Sequence, residues 1–238
     1  MIPRSAEPSP QFRARVAGLL YLSLGLFAPF SLIYGPSRLI VPGDAATTAR
    51  NIMASETLFR LGSVSALVTS ILNILVALAL YQVLKPASKR MAVLMVVFIL
   101  VAIPIGMLNE LNSFAVLFLV GSADALKAFT ADQVHALVSL FLDAHAAGLN
   151  IAGLFYGLWL FPMGYAVFTS GFLPRILGIL LLIGGAGYLI QSAAALLFPQ
   201  FNVSLVLFTD WGELLFPLWL VIKGVNVEQW KKRAYELA

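Results

Sequence analysis

The chain contains no cysteine. Disulfides, thiol nucleophiles, iron–sulfur clusters and cysteine-ligated zinc are therefore excluded. Histidine is scarce: His135 and His145 are the only two. Ten residues apart, they form no familiar metal pattern, and a zinc site would have to rely mostly on carboxylates. Charge is sparse as well. Only 11% of residues are charged, against about 25% in a soluble domain. No H-E-x-x-H, G-x-S-x-G or histidine-box pattern occurs, so no familiar hydrolase or metalloenzyme signature is present. The net charge of +4 lies in loops and tails and comes with no nucleic-acid-binding motif. It reads as membrane topology.

What fills the chain instead is apolar side chains. They make up 61% of 238 residues, with a mean hydropathy of +0.93. A soluble domain is about 45–50% apolar, so this chain has too little polar surface to face water. It reads as an all-α integral membrane bundle. Six spans are expected, at about 14–34, 57–84, 90–119, 135–169, 174–197 and 204–223. Each has roughly the 20 apolar residues that cross a hydrocarbon core of about 30 Å. The stretch from Phe141 to Gly178 typifies the pattern. Asp143 and His145 precede a long apolar run that closes on Thr169-Ser170-Gly171 and Pro174-Arg175. The fourth span is too long for one simple crossing, and its first turns are expected in the outer interface. Pro29, Pro104, Pro162 and Pro217 fall inside spans, where they kink helices.

Eleven of the fifteen basic residues fall on one side: Arg4, Arg13, Arg15, Lys85, Lys89, Arg90, Arg175, Lys223, Lys231, Lys232 and Arg233. Arg38, Arg50, Arg60 and Lys127 fall on the other. The positive-inside rule then puts both termini in the cytosol, which an even span count requires. Residues 1–12 read as a disordered cytosolic tail, 13–226 as the six-helix domain, and 227–238 as a cytosolic surface helix with Trp230 at headgroup depth. The first apolar run lacks an A-x-A cleavage site and reads as a retained helix. Pro42-Gly43-Asp44 marks a turn in the outer loop 35–55, followed by an amphipathic run from Ala45. The outer loop 120–134 is polar enough to be wet. Arg15-to-Glu56 and Arg175-to-Glu213 segments share a faint pattern, which a repeat of hairpins or chance likeness of apolar segments explains equally.

Three segments carry a resemblance: VPGDAATTARNIMASETLFRLG (Val41–Gly62), SGFLPRILG (Ser170–Gly178) and LWLVIKGVN (Leu218–Asn226). Together they resemble a bacterial family of small multi-pass membrane proteins catalogued as a domain of unknown function. The likeness runs from about Arg13 to Asn226. It implies about six helices in the bacterial cytoplasmic membrane, and it implies no substrate, cofactor or catalytic residue.

Polar groups inside a bilayer are costly, at least ~2.5–3.5 kcal/mol for a charge at the centre, and so they mark sites. Counted back from Lys223, Glu213 lies about 15 Å into its span. Asp210, one turn earlier, shares its face. Asn73 falls at similar depth. Gln191 and Asn150 lie further out. Asn109, Glu110 and Asn112 close the third span; Glu56 and Arg60 open the second; Asp143 and His145 sit at the outer mouth of the fourth. Each has a plainer reading. Glu56 and Arg60, at i,i+4, form an interfacial ion pair. Asp143 and His145, at i,i+2, do not share a face, and each suits a simple cap or interface role. Asn73, Asn150 and Gln191 suit hydrogen bonds between helices. Glu213, protonated, suits a bond to a neighbouring helix. Gly184-Gly185-Ala186-Gly187 and Ala193-Ala194-Ala195 suit close helix packing.

The polar groups crowd the outer half of the spans, and the inner half is almost purely apolar. This favours an outward-facing polar vestibule floored by Glu213, binding or transporting a small or lipidic molecule. An accessory protein with polar packing glue is the alternative, and a membrane-embedded enzyme has less in its favour. The expected partners are the lipid bilayer and a lipid or small amphipathic ligand, with a homo-oligomer allowed and nucleic acid not expected. No cofactor is indicated. Lys223 sits at a helix end, where snorkelling accounts for it.

Overall fold

The structure is a computed structural model that describes residues 8–121, 127–198 and 204–236. Expectations for the rest of the N-terminal tail, for the centre of the loop 120–134 and for 199–203 lie outside the described residues. The described residues are helices and turns throughout. Helix α1 covers Pro10–Pro29, α2 Gly35–Leu39, α3 Ala45–Ala54, α4 Glu56–Leu84, α5 Lys89–Gly121 and α6 Ala131–Thr169. Then follow α7 over Arg175–Leu197, α8 over Val206–Thr209, α9 over Trp211–Ile222 and α10 over Val227–Glu236.

Pro29 shapes the first span. Its missing N–H and its ring disturb the regular ladder. The chain answers by widening into a π-helical segment, Phe30–Tyr34, closed by the Gly35 N–H on the Phe30 carbonyl. Helical structure then resumes as α2, so 10–39 is one helical stretch. The expected outer loop is shorter than 35–55 for this reason. Pro36 stands in the first turn of α2, where a missing N–H is harmless. The Pro42-Gly43 turn follows, with Gly43 at a φ of 77°. Asp44 caps α3, accepting from the Thr47 N–H at 2.8 Å and the Thr47 hydroxyl at 2.7 Å.

Five helical stretches have the length and apolar character to cross a membrane: 10–39, α4, α5, α6 and α7. The expected sixth, 204–223, is interrupted at Asp210 into α8 and α9. The twelve residues of α9 rise about 18 Å, short of a core of about 30 Å.

The burial pattern is inverted relative to a water-soluble protein. Leu26, Leu75, Leu78, Leu100, Leu111 and Phe118 are exposed, while Ser63, Ser65, Ser70, Asn73, Asn109, Glu110, Ser113 and Ser192 are buried. That arrangement suits lipid outside and satisfied polar groups within.

The described chain divides into two compact units. Unit 1 holds residues 8–23, 72–102 and 153–236. Small residues let its helices touch. A Cβ at Gly164 would meet the Gly178 carbonyl at 2.8 Å, and a Cβ at Gly178 would meet the Gly164 carbonyl at 2.6 Å. Gly157 and Gly185 approach each other's carbonyls in the same way. The expected packing role of Gly184, Gly185 and Gly187 holds, since they lie against Leu160, Gly157 and Thr209. Backbone ends are tied by side chains. Gln11 donates to the Lys223 carbonyl at 2.8 Å and accepts from the Val225 N–H at 3.2 Å. Trp230 of α10 donates its indole N–H to the Val83 carbonyl at 2.9 Å.

Unit 2 holds residues 24–71 and 103–152. Its core is Leu39, Ala49, Ile52, Val116, Leu117, Val120, Val134 and Val138. The apolar face of α3 therefore buries against the ends of α5 and α6. Ser65 reaches the Phe27 carbonyl at 2.9 Å, one of the backbone acceptors near Pro29.

Two outcomes follow. Gly178→Val, which forces a branched side chain against a backbone carbonyl, should lower the stability of purified protein by roughly 1–3 kcal/mol, read by unfolding in detergent. An unchanged unfolding curve would reject the close crossing. The second concerns Asp44, whose carboxyl lies below its ordinary range because the Thr47 N–H and hydroxyl donate to it. A lowered carboxyl contributes stability above its unfolded pKa and loses it as pH falls through the folded value. Amide protection at Thr47 should therefore fall on acidification, and Asp44→Ala should remove that acid step. Protection with no acid step would reject the cap.

Candidate functional site

The second unit carries a built polar cluster. Glu110 on α5 is only 5% exposed, and its Oε1 lies 3.8 Å from Nε2 of His145 on α6. Asn109 donates through Nδ2 to the His145 carbonyl at 2.8 Å. The same amide lies 3.3 Å from His145 Nδ1, as does the Ser113 hydroxyl. His145 Nδ1 also lies 3.4 Å from the Asn109 backbone carbonyl, so that nitrogen has donors and an acceptor around it, while Nε2 faces Glu110. The Ser63 and Ser113 hydroxyls face the Glu110 carboxyl. The geometry follows from helical spacing: Asn109 and Ser113 stand one turn apart on α5, and Asn112 donates to the Asn109 side-chain oxygen at 3.0 Å. Gly148 makes room, since a Cβ there would run into the Asn109 amide.

This cluster borders a cavity of about 80 Å³. Glu110, His145, Ser31, Ser63 and Ser113 form its polar lining; Leu32, Leu39, Leu58, Phe59, Leu142 and Leu149 are among its apolar walls. Glu213 is not among the lining residues.

The first unit carries a second cluster. Tyr21 of α1 donates to Glu213 Oε1 at 2.6 Å, and Tyr188 of α7 lies 3.5 Å from Oε2. Tyr21 and Trp159 pack with ring centroids 5.9 Å apart. Asp210 lies beside Glu213 on the same face, as the spacing predicts. Its Oδ1 is buried and has no hydrogen bond. Gln191 accepts from the Val206 N–H at 3.0 Å, holding the start of α8 to α7. Asn73 is buried in the same unit.

Of the residues singled out from sequence, Asn109, Glu110 and His145 thus meet in one unit, and Asp210 and Glu213 in the other. Glu56 and Arg60 pair with each other at 2.6 Å on an exposed face. Asn150 donates to the Ala146 carbonyl of its own helix at 3.0 Å, so this bond does not tie it to another helix. Asp143 is exposed and does not join His145, because a two-residue offset turns them to different faces. Sequence reading passed over Ser63, Ser113, Tyr21, Tyr156, Trp159 and Tyr188. One signal was available for the aromatics: Tyr and Trp concentrate at membrane interfaces, so Tyr21 and the Tyr156/Trp159 pair stand out in mid-span.

Asn109→Leu should leave the His145 carbonyl and ring without their donor and cost about 1–3 kcal/mol. Thermal unfolding of the purified protein measures this. An unaltered midpoint would show that the amide is not holding α5 to α6.

The model of the family described as Domain of unknown function (DUF4386) matches residues 16–224. An uncharacterized protein of Archaeoglobus fulgidus is 33% identical over 159 residues, which is 67% of this chain and 81% of that protein. No solved structure matches the chain. The chain belongs to the DUF4386 family.

Proposed function

We propose that the protein binds a small amphipathic or lipidic molecule in the cavity of unit 2, as a binding or transport protein of the bacterial cytoplasmic membrane. The observation that carries this reading is the cavity itself: about 80 Å³ with mostly apolar walls and a buried Glu110–His145 pair among its lining. Ligand sites are concave and largely apolar, with a few placed polar groups that orient the guest. This volume is far below that of a drug-sized pocket. It suits a chain end or a small head rather than a large molecule. The imidazole and the three serine hydroxyls offer hydrogen bonds to the polar part of the guest. The leucines and Phe59 receive its apolar part.

Gly62 provides the test. It lines the cavity, and a Cβ built there meets nothing within 4 Å. With that open space, Gly62→Leu should narrow the cavity. Replacing a helical glycine also favours folding, by about 0.5–1 kcal/mol when the new residue is a good helix former. Native mass spectrometry of the detergent-purified protein should show a co-purifying lipid or amphiphile that is lost in Gly62→Leu and weakened in Glu110→Gln. Equal occupancy in wild type and Gly62→Leu would remove the cavity as the binding site.

A further inference from the structure

Asp210 interrupts the last apolar segment, standing between α8 and α9. An aspartate at the start of a helix ordinarily accepts from the N–H groups of the first turn. Here it stands at the N-cap of α9 and makes no such side-chain bond. Its carboxyl instead lies beside that of Glu213, one helical turn on. The plain capping role is thereby excluded.

Three elements pack against the pair. Tyr21 of α1 donates to Glu213 Oε1 at 2.6 Å. Tyr188 of α7 approaches Oε2. Trp159 of α6 turns its indole toward Glu213, and Tyr156 lies on the same helix within electrostatic reach. Among the described residues, no ion pair with Lys, Arg or His reaches either carboxyl. The surroundings supply donors and no cation.

Asp210 Oδ1 is buried without a hydrogen bond, while Trp159 Nε1, on a residue 1% exposed, is aimed at Glu213. They are of opposite kinds. The indole N–H is only a donor, and the carboxyl oxygen accepts. The space is narrow. A Cβ at Gly184 would lie 3.7 Å from Asp210 Oδ1, and Gly187 and Gly212 press on Thr209 and on the Leu180–Leu181 backbone.

Two adjacent carboxyl groups, both partly buried and without a cationic partner, oppose each other's ionisation, because each charge repels the other. We propose that Asp210 and Glu213 form a proton-binding site, in which the two carboxyl groups share one proton and the Trp159 indole N–H faces Glu213. The proton enters from and returns to bulk water, and the ionised form is held by the hydroxyls of Tyr21 and Tyr188. The site shares no residue with the cavity of unit 2.

Infrared spectroscopy of the full chain in lipid nanodiscs tests this. A protonated carboxylic acid has its own C=O stretch, distinct from that of a carboxylate. Wild type at neutral pH should show a protonated-acid band that the Asp210→Asn/Glu213→Gln double variant lacks, with an amplitude of about one acid per chain for a coupled pair. Each single variant, which keeps the local hydrogen-bonding shape, should move the pH at which the band is lost, since the remaining group titrates without its neighbour. Trp159→Phe should move it as well, a shift that a purely packing tryptophan would not produce. A band of equal size in wild type and the folded double variant overturns the proposal. So does a loss pH unmoved in both single variants, the readout that decides should the double variant not fold.

Discussion

Lipid offers no hydrogen bonds, so every polar group that this chain carries into its apolar helices has to find a partner within the protein. The structure is built around that requirement. Leucine and phenylalanine cover its outside, while serine, asparagine and glutamate lie within. The backbone obeys the same rule. Where Pro29 removes a donor, a π-helical turn and the Ser65 hydroxyl serve the carbonyls around it. Where α9 ends, Gly224 adopts a φ of 70° and the Gln11 amide takes up the Lys223 carbonyl. A polar residue deep in such a structure is either fully matched or belongs to a site.

Most buried polar groups meet the first condition. Ser70 returns to the Ala66 carbonyl at 3.0 Å, and Asn109 closes on His145. Two places depart from it. In unit 2 the Glu110–His145 pair is separated by 3.8 Å and borders a cavity. In unit 1 the Asp210 Oδ1 atom is buried without a hydrogen bond. An unmatched oxygen such as Asp210 Oδ1 costs of order 1–3 kcal/mol, whereas Glu110 keeps the Ser63 and Ser113 hydroxyls beside its carboxyl.

The helices were readable from sequence because their signal is one-dimensional. Apolar runs of spanning length, the Pro42-Gly43-Asp44 turn and the glycine clusters all act on their own neighbourhood. The family likeness carried by Val41–Gly62, Ser170–Gly178 and Leu218–Asn226 agrees with the match over 16–224. The sixth apolar segment is interrupted at Asp210. Hydropathy averages over Asp210, whereas the backbone responds to it by ending one helix and starting another. Pairings between helices were harder. Nothing in the spacing of Asn109, Glu110 and His145 tells how α5 and α6 rotate toward each other. The vestibule floored by Glu213 was read from depth, which is one coordinate of three and does not tell which side chains touch. Within unit 2, Asn109, Glu110 and His145 meet, Asp143 is exposed and Asn150 returns to its own helix; within unit 1, Asp210 lies beside Glu213.

The two clusters differ in kind, and that difference bears on how they work. Around Glu110 the partners are small: serines, an asparagine and one imidazole, bordered by open space. Small hydroxyls beside a cavity can exchange one partner for another when a guest arrives. Around Glu213 the partners are large and rigid. Tyr21, Tyr188 and Trp159 come from three different helical elements, and Gly184, Gly187 and Gly212 bring the backbones close. Aromatic rings fixed by such packing have few rotamers to choose from, so their donors stay aimed whatever the carboxyl does. A site of that construction holds its geometry while the charge on it changes, which is what binding and releasing a proton demands. Adaptable hydroxyls around space and fixed donors around a carboxyl pair are two solutions to the same constraint, and only the first leaves room for a molecule larger than water.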